Sequence, residues 1–163
     1  MARAPRLGRG GRRFKSSLPD TAMKKIKTYY LDANCSYLSS YLRKQGSRVI
    51  ETSRSRKFWH RDEREYLSDI NKENAIFITQ DTEFIQDLVT DRTAHSGVIY
   101  VDNKMDLQKR IDYVANAVVL VQAFTENAES NIKNKIIFSD ENGIYITDGY
   151  TNYIFVSWSK LEE

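Results

Sequence analysis

The order of apolar and polar positions predicts an α/β domain in which strands and helices alternate. Short apolar runs at residues 26–31, 48–51, 75–79 and 97–101 are each bounded by polar turns. The run at 75–79 has no charged residue, and such strands are typical of parallel sheets covered on both faces. Helical patterns separate the runs, so the order βαβαβαβα predicts a parallel sheet of about four strands with flanking helices.

The helices between these strands are recognised by apolar residues spaced three or four positions apart. Asn34 or Ser36 is suited to cap the first helix, and Gly46 ends it. A second helix is predicted over residues 62–73, a short one over 82–88 and a long one from about 106 to 124. Each helix therefore has one face to pack against the sheet.

The last part of the chain has a different pattern. Residues 136–139, 143–147 and 153–158 alternate apolar and polar positions, with Asn-Gly and Asp-Gly turns between them. This pattern predicts an antiparallel β-meander. We therefore divide the chain into a tail at 1–25, an α/β domain at 26–124 and a meander at 125–163 that is appended to the core.

Basic charge is concentrated in the tail. Residues 1–25 hold eight Arg or Lys and one Asp, whereas the rest holds 17 basic and 21 acidic residues, a net charge of −4. A segment rich in Arg and Gly without apolar periodicity is predicted to be disordered. It is interpreted as a nucleic-acid-binding arm, as a transit-like segment, or as an over-extended start with Met23 as the true beginning.

Composition narrows the cellular setting. With one cysteine the chain forms no internal disulfide, and a reducing, cytoplasmic location is expected. No apolar run reaches the roughly 20 residues that a membrane span needs. We therefore predict no association with a membrane.

Acidic residues mark the candidate catalytic site. Asp32 follows the first predicted strand, Asp81 and Glu83 follow the third, and Glu63 opens the second helix. The carboxyl ends of parallel strands form the ligand crevice of such sheets, so these side chains converge if the first and third strands are neighbours. Oxygen-only ligands suit Mg²⁺ or Mn²⁺ better than Zn²⁺. A metal held there would orient a phosphodiester and activate water; alternatively, these are ordinary strand-end and helix-cap acids.

A basic and aromatic loop leads directly into Glu63. The loop mixes cations that suit phosphates with a flat ring that suits an unstacked base. The candidate nucleic-acid-binding residues are Arg54, Arg56, Lys57, Trp59, Arg61 and Arg64. The alternative is a solvated loop with Phe58 and Trp59 packed on the core.

The acidic motifs resemble those of a known family. Leu31-Asp32-Ala33-Asn34, an acid at the start of the second helix, and Thr79-x-Asp81-x-Glu83-Phe84 are similar to motifs of PIN-like domains of VapC-type toxins. The resemblance covers about residues 27–123, with Ala33 in place of the usual Glu and Glu83 where Asp is commoner. It implies a Mg²⁺- or Mn²⁺-dependent ribonuclease, with Asp32, Glu63, Asp81 and Glu83 as catalytic residues and metal ligands.

The partners expected from this reading are RNA, an antitoxin protein and a second copy of the chain. Two alternatives remain open. In one, the domain binds RNA without cleaving it; in the other, the edge of the meander pairs with a protein partner.

Three further residues are expected to have no role in the chemistry. Cys35 lies at a helix start but has no His near it in the sequence, so it is not predicted to be a nucleophile. His60 and His95 lie in predicted loops and are expected at the surface.

Overall fold

The computed structural model of the chain describes residues 28–126, 132–150, 153–157 and 159. Within these ranges seven strands form one mixed sheet: β1 (Thr28–Leu31), β2 (Arg48–Glu51), β3 (Ile76–Thr79), β4 (Val98–Tyr100), β5 (Ile136–Ser139), β6 (Gly143–Thr147) and β7 (Tyr153–Ser157). The α-helices are α1 (Ser39–Lys44), α2 (Glu63–Lys72), α3 (Thr82–Thr90) and α4 (Leu107–Glu126). The predicted α/β class is confirmed.

The spatial order of the strands is β2-β1-β3-β4-β5-β6-β7. The pairs from β2 to β5 are parallel, and β6 and β7 are antiparallel to their neighbours. β1 pairs with β3, with Leu31 opposite Ile78. The first and third strands are therefore neighbours, as convergence of the acidic residues required.

The prediction of about four strands is wrong. β5 pairs with β4 in parallel register, with Val98 opposite Ile136, so the three C-terminal strands continue the central sheet. The hairpin pattern was read correctly within β5–β7. It could not show that β5 has a second neighbour, because alternation describes one strand's faces and not which strand lies beside it.

Hydrophobic residues cover both faces of the sheet. On one face, α4 packs through Val114, Val118 and Val121 in the cluster that contains Tyr29 and Leu31. On the other face, α2 and α3 pack in a cluster that contains Tyr30 and Phe77. Alternating residues of β1, β3, β4 and β5 thus enter opposite clusters.

The face covered by α2 and α3 contains a chain of aromatic rings in edge contact. Tyr30, Phe58, Tyr66, Phe77 and Phe84 follow one another with centroid distances of 5.1 to 5.8 Å. Phe58 comes from the basic loop and is buried. The ring chain therefore fixes the loop, α2 and α3 relative to the same part of the sheet.

The predicted cap of the first helix is wrong. The helix begins with a 3₁₀ turn at Ala33–Leu38, and its cap is Asp32 rather than Asn34 or Ser36. The predicted disordered tail at 1–25 lies outside the described residues. None of the helices in the described ranges combines the length and apolar character needed to cross a membrane.

Candidate functional site

Asp32 is held firmly at the end of β1. Its backbone N–H donates to the Ile78 carbonyl of β3 at 3.0 Å, and its Oδ1 accepts from the Ala33 N–H at 2.6 Å. Its Oδ2 accepts from Thr79 Oγ1 at 2.9 Å, and the residue is only 6% exposed. The fold therefore orients this carboxylate at the carboxyl edge of the sheet.

Thr79 connects the first and third predicted acids. Its Oγ1 donates to Asp32 Oδ2 and accepts from the Asp81 backbone N–H at 3.0 Å. The side chain is fully buried. The sequence predicted Thr79 as the end of a strand and as the first residue of the Thr79-x-Asp81 motif, but its hydrogen bond to Asp32 is evident only from the fold.

Asp81 is the N-cap of α3. Its Oδ1 accepts from the Phe84 N–H at 3.1 Å, and within the described residues its Oδ2 accepts no hydrogen bond. Asp32 and Asp81 are thus both caps, as the alternative interpretation proposed. Capping occupies one oxygen of Asp81 and leaves the other for a ligand.

Glu63 lies in the first turn of α2, next to the N-cap Asp62. Burial raises the pKa of the Glu63 carboxyl, and repulsion from Asp32, Asp62 and Asp81 raises it further. Glu63 is therefore in the electrostatic field of two candidate acids that come from two neighbouring strand ends. A group disfavoured in its charged form by like charges is stabilised by a nearby cation.

A shallow depression of about 200 Å³ lies between the starts of α2 and α3, and we call it the acid pocket. Its lining residues are Asp62, Glu63, Arg64, Asp81, Glu83, Phe84 and Asp87. Asp32 is not among them, so three of the four predicted acids line one depression and the fourth is connected to it through Thr79. Glu83 is exposed in the first turn of α3.

Arg64 places a cation beside these acids. Its guanidinium forms ion pairs with Asp87 and with Asp91, the second at 3.1 Å. Both partners belong to the C-terminal half of α3 or its cap. Arg64 therefore connects α2 to α3 and is directed toward a different part of α3 from Asp81.

The arrangement suits a sparsely ligated cation better than a closed protein cage. Among the described residues, no group of three or more His, Cys, Asp or Glu side chains is placed to hold a metal ion. Mg²⁺ commonly uses one or two carboxylates and completes its shell with water and phosphate oxygens. The residues do not fit the closed four-ligand site of structural zinc, and binding of Mg²⁺ or Mn²⁺ through one or two of these carboxylates stays a prediction.

Most cations of the basic loop pair with protein carboxylates. Arg54 Nε lies 3.0 Å from Glu51 Oε2, and Lys57 Nζ lies 3.2 Å from Asp69 Oδ2. Arg61 also pairs with Asp69, at 3.2 Å. These contacts leave fewer free cations for phosphates than the sequence suggested.

Arg56 and Trp59 are the outward-facing part of the loop. The Arg56 guanidinium lies 6.0 Å from the centre of the Trp59 ring, and Trp59 is 52% exposed. Trp59 Nε1 donates to the Ser53 carbonyl at 3.1 Å, which fixes the ring's orientation. The loop thus follows the packed alternative at Phe58 and the exposed one at Trp59.

Glu51 is a buried acid that sequence analysis missed. It ends β2 opposite Leu31, and its Oε1 accepts from Ser39 Oγ at 2.8 Å. Arg54 approaches Oε2 closely but is not aligned for a hydrogen bond, so that contact is an ion pair. The position of Glu51 at the end of a predicted strand was the signal available in the sequence. In the structure this acid contacts Ser39 and the loop residue Arg54.

Cys35, His60 and His95 were expected to have no role in the chemistry, and they differ in how exposed they are. Burial raises the pKa of the Cys35 thiol to about 12, which agrees with a residue that is not a nucleophile. His60 is exposed, as expected. The expectation that His95 lies at the surface is wrong, because the residue is only 7% exposed. Its backbone N–H donates to Asn134 Oδ1, and the Asn134 backbone N–H donates to the His95 carbonyl.

Comparisons with known proteins add little on function. No protein-family model matches the chain, and no solved structure matches it. A segment is similar to a protein described as "Protein SEY1 homolog" from Plasmodium knowlesi (strain H), at 29% identity over 97 residues. That segment is 60% of this chain and 10% of the relative, so the chain spans about a tenth of that protein's length. The resemblance to PIN-like domains stays a prediction.

Proposed function

We propose that this protein is a PIN-like, divalent-metal-dependent endoribonuclease whose active site is the acid pocket together with Asp32. The observation that carries the proposal is the placement of Glu63, Asp81 and Glu83 around one depression at the carboxyl edge of a parallel sheet. Ligand sites of open α/β sheets lie at this edge. The raised pKa of Glu63 supports a need for positive charge there.

The chain's own residues would position the substrate and the cation. The cation would face the carboxylates of Glu63 and Glu83 and the Oδ2 atom of Asp81. Asp32 would act from the position that its hydrogen bond with Thr79 fixes. A bound Mg²⁺ or Mn²⁺ supplies an activated water and offsets charge on the leaving oxygen. Trp59 and Arg56 would hold an unpaired base and its phosphate beside the start of α2.

A role as the toxin of a toxin–antitoxin pair is part of the same proposal. It rests on the family resemblance in residues 27–123, and it predicts an inhibitory protein partner. A small antitoxin gene beside this one, and inhibition of cleavage by its purified product, would support the role. Cleavage that the product leaves unchanged would remove it.

A domain that binds RNA without cleaving it is the second candidate. The specific observation in its favour is that no three acids of the described residues are grouped to hold a metal. Incubation of the purified protein with a mixed RNA pool in Mg²⁺, Mn²⁺ and EDTA separates the two candidates. Cleavage that requires metal supports the nuclease, whereas binding without cleavage in every condition supports the second candidate.

A further inference from the structure

A larger pocket lies at the opposite edge of the sheet from the acid pocket. It has a volume of about 500 Å³, and we call it the amino-edge pocket. Its lining includes Leu88, Val89, Arg92, His95, Ile136 and Tyr150. The volume is in the range of small-molecule sites, roughly 300–1,000 Å³.

Topology separates this pocket from the proposed active site. His95 and Asn134 precede β4 and β5, so they lie where these parallel strands begin. Asp32 and Asp81 follow β1 and β3 and lie where parallel strands end. A ligand in the amino-edge pocket would therefore not contact the acid pocket.

One wall of the pocket is formed by close contact between α3 and the turn that follows β6. Gly149 has φ +84°, and a Cβ there would lie 2.6 Å from Val89 Cγ2, so only glycine permits this approach. The next residue, Tyr150, donates its hydroxyl to the Val89 carbonyl. The turn is thereby attached to the C-terminal end of α3.

The opposite wall is tied down by hydrogen bonds before β4. The His95 N–H donates to Asn134 Oδ1 at 2.9 Å, and the Asn134 N–H donates to the His95 carbonyl at 2.8 Å. Asn71 further holds this loop through Ser96 and Ala94. The pocket is therefore preformed.

A guanidinium provides the positive charge of the pocket. The Arg92 guanidinium carbon lies 4.8 Å from the centre of the Tyr150 ring. Among the described residues, no carboxylate is within ion-pair distance of Arg92, whereas Asp148 at the same pocket lies 3.9 Å from Lys135 Nζ. An arginine stacked on a ring keeps its donors free for an anion.

A second polar group of the pocket also lacks a partner. His95 Nδ1 is buried and has no hydrogen bond within the described residues. Burial lowers the pKa of His95 to about 4, so the imidazole is neutral at pH 7. The Nδ1 atom is enclosed by protein, whereas the Arg92 side chain is exposed, so Arg92 is the one of these two groups that is open to a ligand.

We propose that the amino-edge pocket binds a small aromatic carboxylate. The carboxylate would pair with Arg92, and the ring would pack between Tyr150 and the apolar side chains Leu88 and Ile136. The proposal is independent of ribonuclease activity, because no residue of the acid pocket takes part.

Titration calorimetry of the full chain with benzoate, benzamide and benzylamine tests the ligand class. These probes share a ring and differ in charge. We expect measurable benzoate binding and affinity about tenfold or more lower for the two others. Absence of benzoate binding, equal binding of benzamide, or preference for benzylamine would each overturn the proposal.

Arg92→Asn tests the anchoring residue. Arg92 has φ +50°, and Asn tolerates this left-handed conformation better than most residues, so the fold should persist. Lys104→Asn removes the same charge from an exposed turn after β4 and is the control. We expect benzoate affinity to fall about tenfold in Arg92→Asn and to stay unchanged in Lys104→Asn. Equal loss in both variants, or no loss in either, would contradict the assignment to Arg92.

Discussion

The acid pocket and the basic loop meet at the start of α2, yet their charges are organised in opposite ways. In the loop, Arg54, Lys57 and Arg61 each pair with a carboxylate of the same fold. In the acid pocket, Glu63 is disfavoured in its charged form by burial and by neighbouring acids. Most cations of the loop therefore have a carboxylate partner, whereas the acid pocket carries an excess of negative charge.

This difference separates charges that serve the structure from charges that can serve a ligand. Asp69 accepts from Lys57 and Arg61, which lowers the pKa of its carboxyl. Glu63 shows the opposite shift on the same helix. Charges that the fold leaves uncompensated identify candidate sites better than the number of charged residues does.

The largest expected effect is on cleavage. Asp81→Asn keeps the shape of the cap but removes the charge that would face a cation, so cleavage in Mn²⁺ should fall about a hundredfold or more. Asp112→Asn, which neutralises an acid on α4 that accepts from Gln108, is the matched control. The rate of RNA cleavage should be measured together with the melting temperature. Equal cleavage by wild type and a folded Asp81→Asn variant would refute the site.

RNA affinity should depend on the outward part of the loop. Trp59→Ala should weaken binding of single-stranded RNA by about 1–3 kcal/mol, the usual value of stacking on one base. Arg56→Ala should reduce the slope of log affinity against log salt by about one unit. Arg54→Ala should change the slope less, because Arg54 already pairs with Glu51. Equal slope changes for Arg54 and Arg56 would remove the distinction between paired and free cations.

Neutralising two acids of α2 should change stability in opposite directions. In EDTA at pH 7, Glu63→Gln should raise the free energy of unfolding by roughly 0.5 kcal/mol, since it removes a partly buried charge and, with it, repulsion from neighbouring acids. Asp69→Asn should lower stability, because Lys57 and Arg61 lose a charged partner. Denaturant unfolding measures both. The same sign for the two variants would contradict the comparison.

The smallest effect is the pH dependence of these differences. The folded pKa of Asp69 is lowered, so its stabilisation is present above the unfolded value of about 3.9 and is lost as the pH falls through the folded value. The folded pKa of Glu63 is raised, so its destabilisation is absent below about 4.3 and develops as the pH rises through the folded value. Both variants should therefore approach wild-type stability in acid. Differences that persist unchanged at pH 3 would show that shape, not charge, causes them.

Local pattern determined most elements of this protein. The strands near residues 28–31, 48–51 and 76–79 and the helices at 63–72 and 107–126 could be predicted because periodicity and capping act within a few residues. The placement of Asp32 and Asp81 at one sheet edge followed from the order of the elements. Glu63 could be predicted because it opens the second helix.

Tertiary structure alone decided which groups meet. Only the fold shows that β5 joins β4, that Phe58 enters the aromatic chain and that His95 is buried. The pairing of Arg54 with Glu51 likewise depends on how the loop packs against β2. The residues adjacent in the sequence set the local conformation of a residue. Its burial and its charge partner depend on distant segments that pack against it.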